Sequence, residues 1–132
     1  VTAFGTGLNA DTAWLITPPI ALPAATTPQL QFSTAYQFAT GPTTIHAFVS
    51  TNYNGGNTPN TATWTQVSNN AQIPGNTATN NSSTYSSFAN TGNISLAAYA
   101  GQTVYIAFKY TGSVSLGRTT NFEVDDVRVT RQ

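Results

Sequence analysis

The acid–base chemistry available to this chain is sparse and unevenly placed: Asp11, Glu123, Asp125, Asp126 and a lone imidazole, His46. Three of these acids fall within positions 123–126. Crowded carboxylates repel one another, so the cluster needs a cation or an arginine to offset it. Strand parity sharpens the point. Phe122 and Val124 share one parity and Val127 and Val129 the other, so both pairs face a core only if the register slips between them. A β-bulge at Asp125–Asp126 supplies that slip. A carboxylate that the bulge turns inward must find a partner. Ca²⁺ is one, because it takes six to eight oxygens from carboxylates, amides and backbone carbonyls. Arg128 or Arg131 pairing with the acids at a solvated edge is the other, and both readings stand at this point. Zinc is poorly supplied, with no Cys and one His.

The same inventory speaks against catalysis. His46 has no G-x-S-x-G elbow to serve, and a triad also requires an acid to orient the imidazole. Hydrolysis of a glycosidic bond needs two carboxylates flanking that bond, about 5–9 Å apart. Glu123, Asp125 and Asp126 instead crowd one strand, so no enzymatic activity is expected. Nucleic acid is excluded as a partner by the scarcity of base: Lys109, Arg118, Arg128 and Arg131 are the only cations besides His46, and they are scattered.

Binding chemistry is better provided for. In the run from Thr103 to Tyr110, Val104, Ile106, Phe108 and Tyr110 point one way, and Thr103, Tyr105, Ala107 and Lys109 the other. From Thr44 to Ser50, Ile45, Ala47 and Val49 turn inward, leaving His46 and Phe48 outside. From Leu30 to Phe38, Gln31, Ser33 and Gln37 take the outward parity. If these strands are neighbours, Tyr105, Lys109, His46, Phe48 and Gln37 share one exposed surface. Sugars are recognised by such a surface: ring faces stack on C–H groups, and polar tips bond to hydroxyls. Tyr53, beside the Asn54-Gly55-Gly56 turn, is a further aromatic able to reach a partner. Trp14 and Trp64, flanked by apolar residues, are expected in the core with Phe32, Phe108 and Phe122.

These side chains must be carried by strands. Alternating runs at 30–36, 44–50, 64–67, 103–110 and 121–130 are separated by turn signals such as Gly41-Pro42, Asn54-Gly55-Gly56-Asn57 and Pro74-Gly75-Asn76. No helical periodicity persists, beyond one turn ending at Gly101. The chain of 132 residues is 39% hydrophobic, 6% charged and formally neutral, which fits a single all-β sandwich spanning 1–132. The stretch 72–90, poor in large apolar residues, reads as a long surface connection. No apolar run approaches the roughly 20 residues of a membrane-spanning helix, so no membrane insertion is expected. The absence of Met leads us to expect a segment excised from a longer protein. The neutral Thr/Asn/Ser surface suggests a secreted bacterial one.

Four blocks, in order, carry a family resemblance. Asp11-Thr12-Ala13-Trp14-Leu15-Ile16-Thr17-Pro18-Pro19-Ile20 resembles the opening of the cleaved-adhesin and choice-of-anchor J domains. Val49 to Gly56 with Ala62-Thr63-Trp64-Thr65, Ile94 to Phe108, and Phe122-Glu123-Val124-Asp125-Asp126-Val127-Arg128-Val129 resemble their later segments. The resemblance implies a jelly-roll β-sandwich of two antiparallel sheets, secreted or displayed at the cell surface. Such modules are attached to catalytic or adhesin domains and bind polysaccharide or surface glycan, or serve in adhesion to a protein partner. In related jelly rolls the first Asp of the closing strand helps hold a structural calcium. By position that is Asp125, beside Asp126, with Asp11 or Asn9 contributing from the other terminus. The acid-rich run of some cleaved adhesins is absent around Asn9-Ala10-Asp11.

Overall fold

The computed structural model describes residues 1–41 and 43–131, and the Gly41-Pro42 turn signal lies partly outside them. The strands are β1 (Asp11–Ile16), β2 (Ile20–Ala21), β3 (Gln29–Gln37), β4 (Thr44–Ser50), β5 (Thr65–Gln66), β6 (Ala89–Asn90), β7 (Ile94–Ser95), β8 (Thr103–Gly112) and β9 (Asn121–Thr130). Short 3₁₀ turns occupy Pro59–Thr61, Asn70–Gln72 and Ala97–Tyr99. No described helix is long and apolar enough to cross a membrane.

Two antiparallel sheets form a β-sandwich, as expected. In the five-stranded sheet β8 is central, with β4 and then β5 on one side and β1 and β2 on the other. Thr17 joins those last two onto one edge. Its N–H bonds Ile106 O at 2.9 Å and its hydroxyl accepts from Ile106 N at 3.1 Å. Pro18 and Pro19 then interrupt the ladder, because neither has an N–H to donate. In the second sheet β3 is central, pairing with β9 and with the short β6 and β7.

The inward parities place Ile45, Ala47, Val49, Val104, Ile106, Phe108 and Tyr110 against Leu30, Phe32 and Phe122. All of these are at most 2% exposed. Phe32 meets Phe108 edge to face at 4.8 Å, a geometry that the ring quadrupoles favour. Tyr110 closes one end of the core: its hydroxyl accepts from Ala3 N at 2.8 Å and donates to Thr120 O at 3.2 Å.

The connection between β5 and β6 departs from the surface run expected at 72–90. Ile73 and Asn76 are buried. The Asn76 amide both accepts from Ile45 N (3.0 Å) and donates to Ile45 O (2.8 Å), taking the place of a neighbouring strand. At Gly75 φ is +99°, and an added Cβ would lie 2.7 Å from both Phe122 and Tyr36. Few large side chains were needed here because one isoleucine and two backbone-mimicking groups plug the end of the sandwich. Composition alone did not reveal this.

Candidate functional site

The outer face of the five-stranded sheet collects rings. Its cross-strand rows follow from register: Trp14, Lys109 and His46 lie side by side, then Ile16, Ala107, Phe48 and Gln66, with Tyr105 opposite Ser50 in the next row. Ala107 lies on this outward face and is nonetheless fully buried. Its methyl is the low point over which larger neighbours close. Trp14 sits 6.1 Å from Phe48 and 5.4 Å from Trp64, Trp64 is 5.3 Å from Tyr53, and Tyr53 meets Tyr105 edge to face at 4.9 Å. All five rings are half-buried, each packed on its neighbours and each partly open to solvent.

Trp14 and Trp64 are therefore not in the sandwich core. In β1 the inward residue is Ala13, which packs against the core, and Trp14 takes the opposite parity. Apolar flanking residues do not distinguish a ring that packs beneath a sheet from one that packs upon it.

The loop after β4 supplies the remaining rings and is well fastened. The Ser50 hydroxyl accepts from Asn52 N and Tyr53 N at 3.3 and 3.1 Å, which starts the turn. Asn52 Oδ1 accepts from Thr63 N at 2.9 Å, tying the two ends of the loop together. The Trp64 indole donates to Pro59 O at 2.9 Å, and the Tyr53 hydroxyl donates to Gly56 O. Gly55, at φ +78°, comes close enough that a Cβ would sit 3.3 Å from the Tyr105 hydroxyl. The rings are thus positioned in advance, which lowers the ordering cost of binding.

Polar groups border the rings. Lys109 Nζ lies 4.9 Å from the Trp14 ring centroid and 5.8 Å from that of Phe48, a cation–π arrangement. His46 Nδ1 lies 3.3 Å from Ser68 Oγ. Burial lowers the His46 pKa from its ordinary 6.5, and a hydrogen bond with Asn70 opposes that in part. Ser68 is itself buried, and its Oγ also accepts from Ala47 N at 2.9 Å.

Tyr105, Lys109, His46, Phe48 and Tyr53 come together as one surface. Gln37 does not join them. It ends β3, opposite Asn121 of β9, in the other sheet. Alternation specifies which side of a strand a residue occupies, but the sheet to which the strand belongs is decided by long-range pairing.

The acids lie on β9 and at the start of β1. The register passes from Gln31–Arg128 to Ser33–Asp125, so Phe32 faces both Asp126 and Val127. The bulge stands where strand parity required it, with Asp126 at φ +57°. Val127 does not reach the core; it is 40% exposed at the bulge, whereas Val129 packs inward opposite Leu30. Asp126 pairs with Arg128 at 2.6 Å, both side chains being exposed. Asp125 Oδ1 accepts from Asp126 N at 2.7 Å, and Asp11 Oδ2 accepts from the Thr6 hydroxyl at 2.8 Å. Asp11 opens β1 in one sheet and Asp125 lies in the other, while Asn9 is exposed ahead of β1. Among the described residues no three His, Cys, Asp or Glu side chains gather around a point. In this arrangement Asp125, Asp126 and Asp11 thus each have a protein partner, and Asn9 is exposed.

A cleft of about 470 Å³ runs between the open edges β1 and β9. Its walls are core side chains, including Ile45, Phe108, Tyr110 and Phe122, with Leu15 and Val124 nearer the edges. It is the unclosed seam of the sandwich.

A family model described as "Domain of unknown function (DUF5017)" matches residues 21–131, and the chain belongs to this family. The match takes in Phe48, Tyr53, Trp64, Tyr105 and Lys109, and begins after Trp14. No curated protein matches the chain, and no solved structure does.

Proposed function

We propose that this domain is a non-catalytic carbohydrate-binding module of a secreted bacterial protein, attached to catalytic or adhesin domains. Its polysaccharide or surface glycan lies across the outer face of the five-stranded sheet. The observation that carries this reading is the cluster of Trp14, Phe48, Tyr53, Trp64 and Tyr105, half-exposed and bordered by Lys109 and His46. Aromatic faces stack against the C–H faces of sugar rings, and the ammonium, imidazole and phenol groups bond to hydroxyls. The resemblance to cleaved-adhesin and choice-of-anchor J domains supports the same function class. Absence of catalysis is supported by the separation of groups: His46 faces Ser68 and Asn70, and Glu123 and Asp125 lie in the other sheet.

Affinity electrophoresis through gels cast with neutral polysaccharides tests the proposal. Wild-type protein is retarded in at least one gel, and Tyr105→Ala reduces that retardation at least tenfold. The stability cost is about 1 kcal/mol, the typical value of one aromatic pair. Trp14→Ala removes retardation altogether. Retention untouched by both substitutions moves the site elsewhere. A domain retarded by no polysaccharide is instead an adhesion or spacer module, whose rings serve only to fasten the 51–64 loop.

A further inference from the structure

A second aromatic feature lies away from this face, at the end of the sandwich where β3 leaves the other sheet. A pocket of about 230 Å³ is lined by Thr2, Phe4, Phe38, Asn81, Thr119 and Asn121. Phe4 is 78% and Phe38 39% exposed, so two rings border it without being consumed in packing.

The chain holds these rings in place at some conformational cost. Phe38 has φ +50° and Asn81 +45°, left-handed values that are unusual for a non-glycine residue and especially for Phe. Strained backbone persists where the surroundings over-determine it, and it clusters at ligand sites. Here the surroundings are a pair of crossed loops: Phe38 N bonds Ser82 O at 2.6 Å, and Asn81 N bonds Ala39 O at 3.0 Å. The N-terminal arm is equally anchored. Val1 exchanges backbone hydrogen bonds with Phe122 at 2.6 and 2.9 Å, and Ala3 is fully buried with its N–H on the Tyr110 hydroxyl. Both anchored residues lead directly to the exposed Phe4.

The polar wall indicates what fits. Asn121 lines the pocket, and its Oδ1, shielded from solvent, has no hydrogen-bond partner among the described residues. Such an acceptor requires an explanation, and a ligand hydroxyl provides one once the amide turns toward the pocket. Asn81, Thr2 and Thr119 add amide and hydroxyl groups, and no lining side chain is charged. Phosphates, nucleotides and acidic peptides have nothing here to neutralise them. The volume is below the roughly 300–1,000 Å³ of drug-sized sites, which suits one ring rather than an extended chain.

We propose that this pocket is a second carbohydrate subsite, taking a single neutral sugar ring between Phe4 and Phe38, with the Asn121 amide turning toward the pocket to accept a sugar hydroxyl at Oδ1. The ligand class rests on the sugar-binding reading above, but the place is independent of it. The experiment is a ¹⁵N NMR titration of the whole domain with a panel of neutral oligosaccharides: xylo-, cello-, manno- and galacto-series. The expected result is saturable shifts of the Asn81 and Asn121 side-chain amides and of the Phe38 backbone. Phe4→Ala, at an exposed position that does not endanger folding, weakens these shifts at least tenfold, whereas Tyr105→Ala leaves them unchanged. Shifts confined to the Trp14, Trp64 and Tyr105 region overturn this inference and leave the outer-face proposal standing. Shifts confined to Asn81 and Asn121 do the reverse. An unmoved Asn121 amide, or a Phe4→Ala response equal to wild type, also overturns it.

Discussion

The two sheets expose very different outer faces. On the five-stranded sheet, the rows led by Trp14, Phe48 and Tyr105 carry rings and a lysine over a buried alanine. On the four-stranded sheet, the outward register pairs are Gln31 with Arg128, Ser33 with Asp125, and Ala35 with Glu123. One face can dock a ligand through apolar area, whereas the other exposes the charges of β9 beside the buried Ser33 and Ala35. The contrast also accounts for the acids. β9 is an edge strand, and exposed edges invite pairing with other chains. A bulge, a left-handed aspartate and alternating charge all blunt that edge. The acidic cluster thus has a structural role at this edge, whether or not an ion also binds there.

The largest expected effect breaks both faces together. Gly75→Ala places a Cβ against Phe122 and Tyr36 at a φ of +99°, and should cost about 3 kcal/mol through strain and overpacking. A loss below about 1 kcal/mol in urea unfolding would mean that the plug formed by residues 73–76 gives way easily.

Ala107→Leu separates the faces. It lifts the rings from their seat at a cost of about 1–2 kcal/mol, lowering both thermal stability and polysaccharide retention while the other sheet is unaffected. Retention at the wild-type level would show that the ring cluster is not the ligand surface.

On the acidic face the effects are smaller. Asp126→Asn breaks the exposed pair with Arg128 and should change stability by less than about 1 kcal/mol, since exposed ion pairs contribute little. If calcium sits at Asp125, as the resemblance implies, a chelator should lower Tm and added Ca²⁺ restore it. A response that Asp125→Asn abolishes would establish the ion at Asp125, whereas a Tm that neither chelator nor Ca²⁺ moves would remove it.

The smallest effect concerns His46. Burial lowers its pKa below 6.5 in the folded state, so the unfolded chain binds the proton more readily. The stability that neutral His46 contributes is therefore complete above about pH 6.5 and is lost as pH falls through the lower folded pKa. Tm should decline slightly on acidification across that window, and His46→Gln should flatten this part of the profile.

Much of this could be read from residue order. Alternation in 44–50 and 103–110 separated Ile45, Ala47, Val49 and Phe108 from His46, Phe48, Tyr105 and Lys109, because a strand allows only two faces. The β9 bulge followed from the same rule, since Phe122 and Val124 cannot otherwise share a core with Val129, although Val127, expected there too, is left exposed at the bulge. Trp14 and Trp64 were misplaced because burial against a loop and burial in a core present the same local pattern. Gln37 was misplaced because parity carries no information about which strands are neighbours. The pocket flanked by Phe4 and Phe38 left no periodic signal, as its lining comes from an arm, three loops and the start of a strand.

By itself, then, the order of residues determined the long strands β3, β4, β8 and β9, the inward sides of β4 and β8, and the need to neutralise Asp125 and Asp126, all of which follow from a two-residue repeat and short-range repulsion. Only the tertiary structure decided that β3 and β8 lie in opposite sheets, that Arg128 meets Asp126, and that Tyr53 and Trp64 fold onto Trp14 and Tyr105. The ring contacts join residues about fifty positions apart and the β1–β8 and β3–β9 pairings about a hundred, and closure over such distances is settled by packing the whole core, not by any local preference.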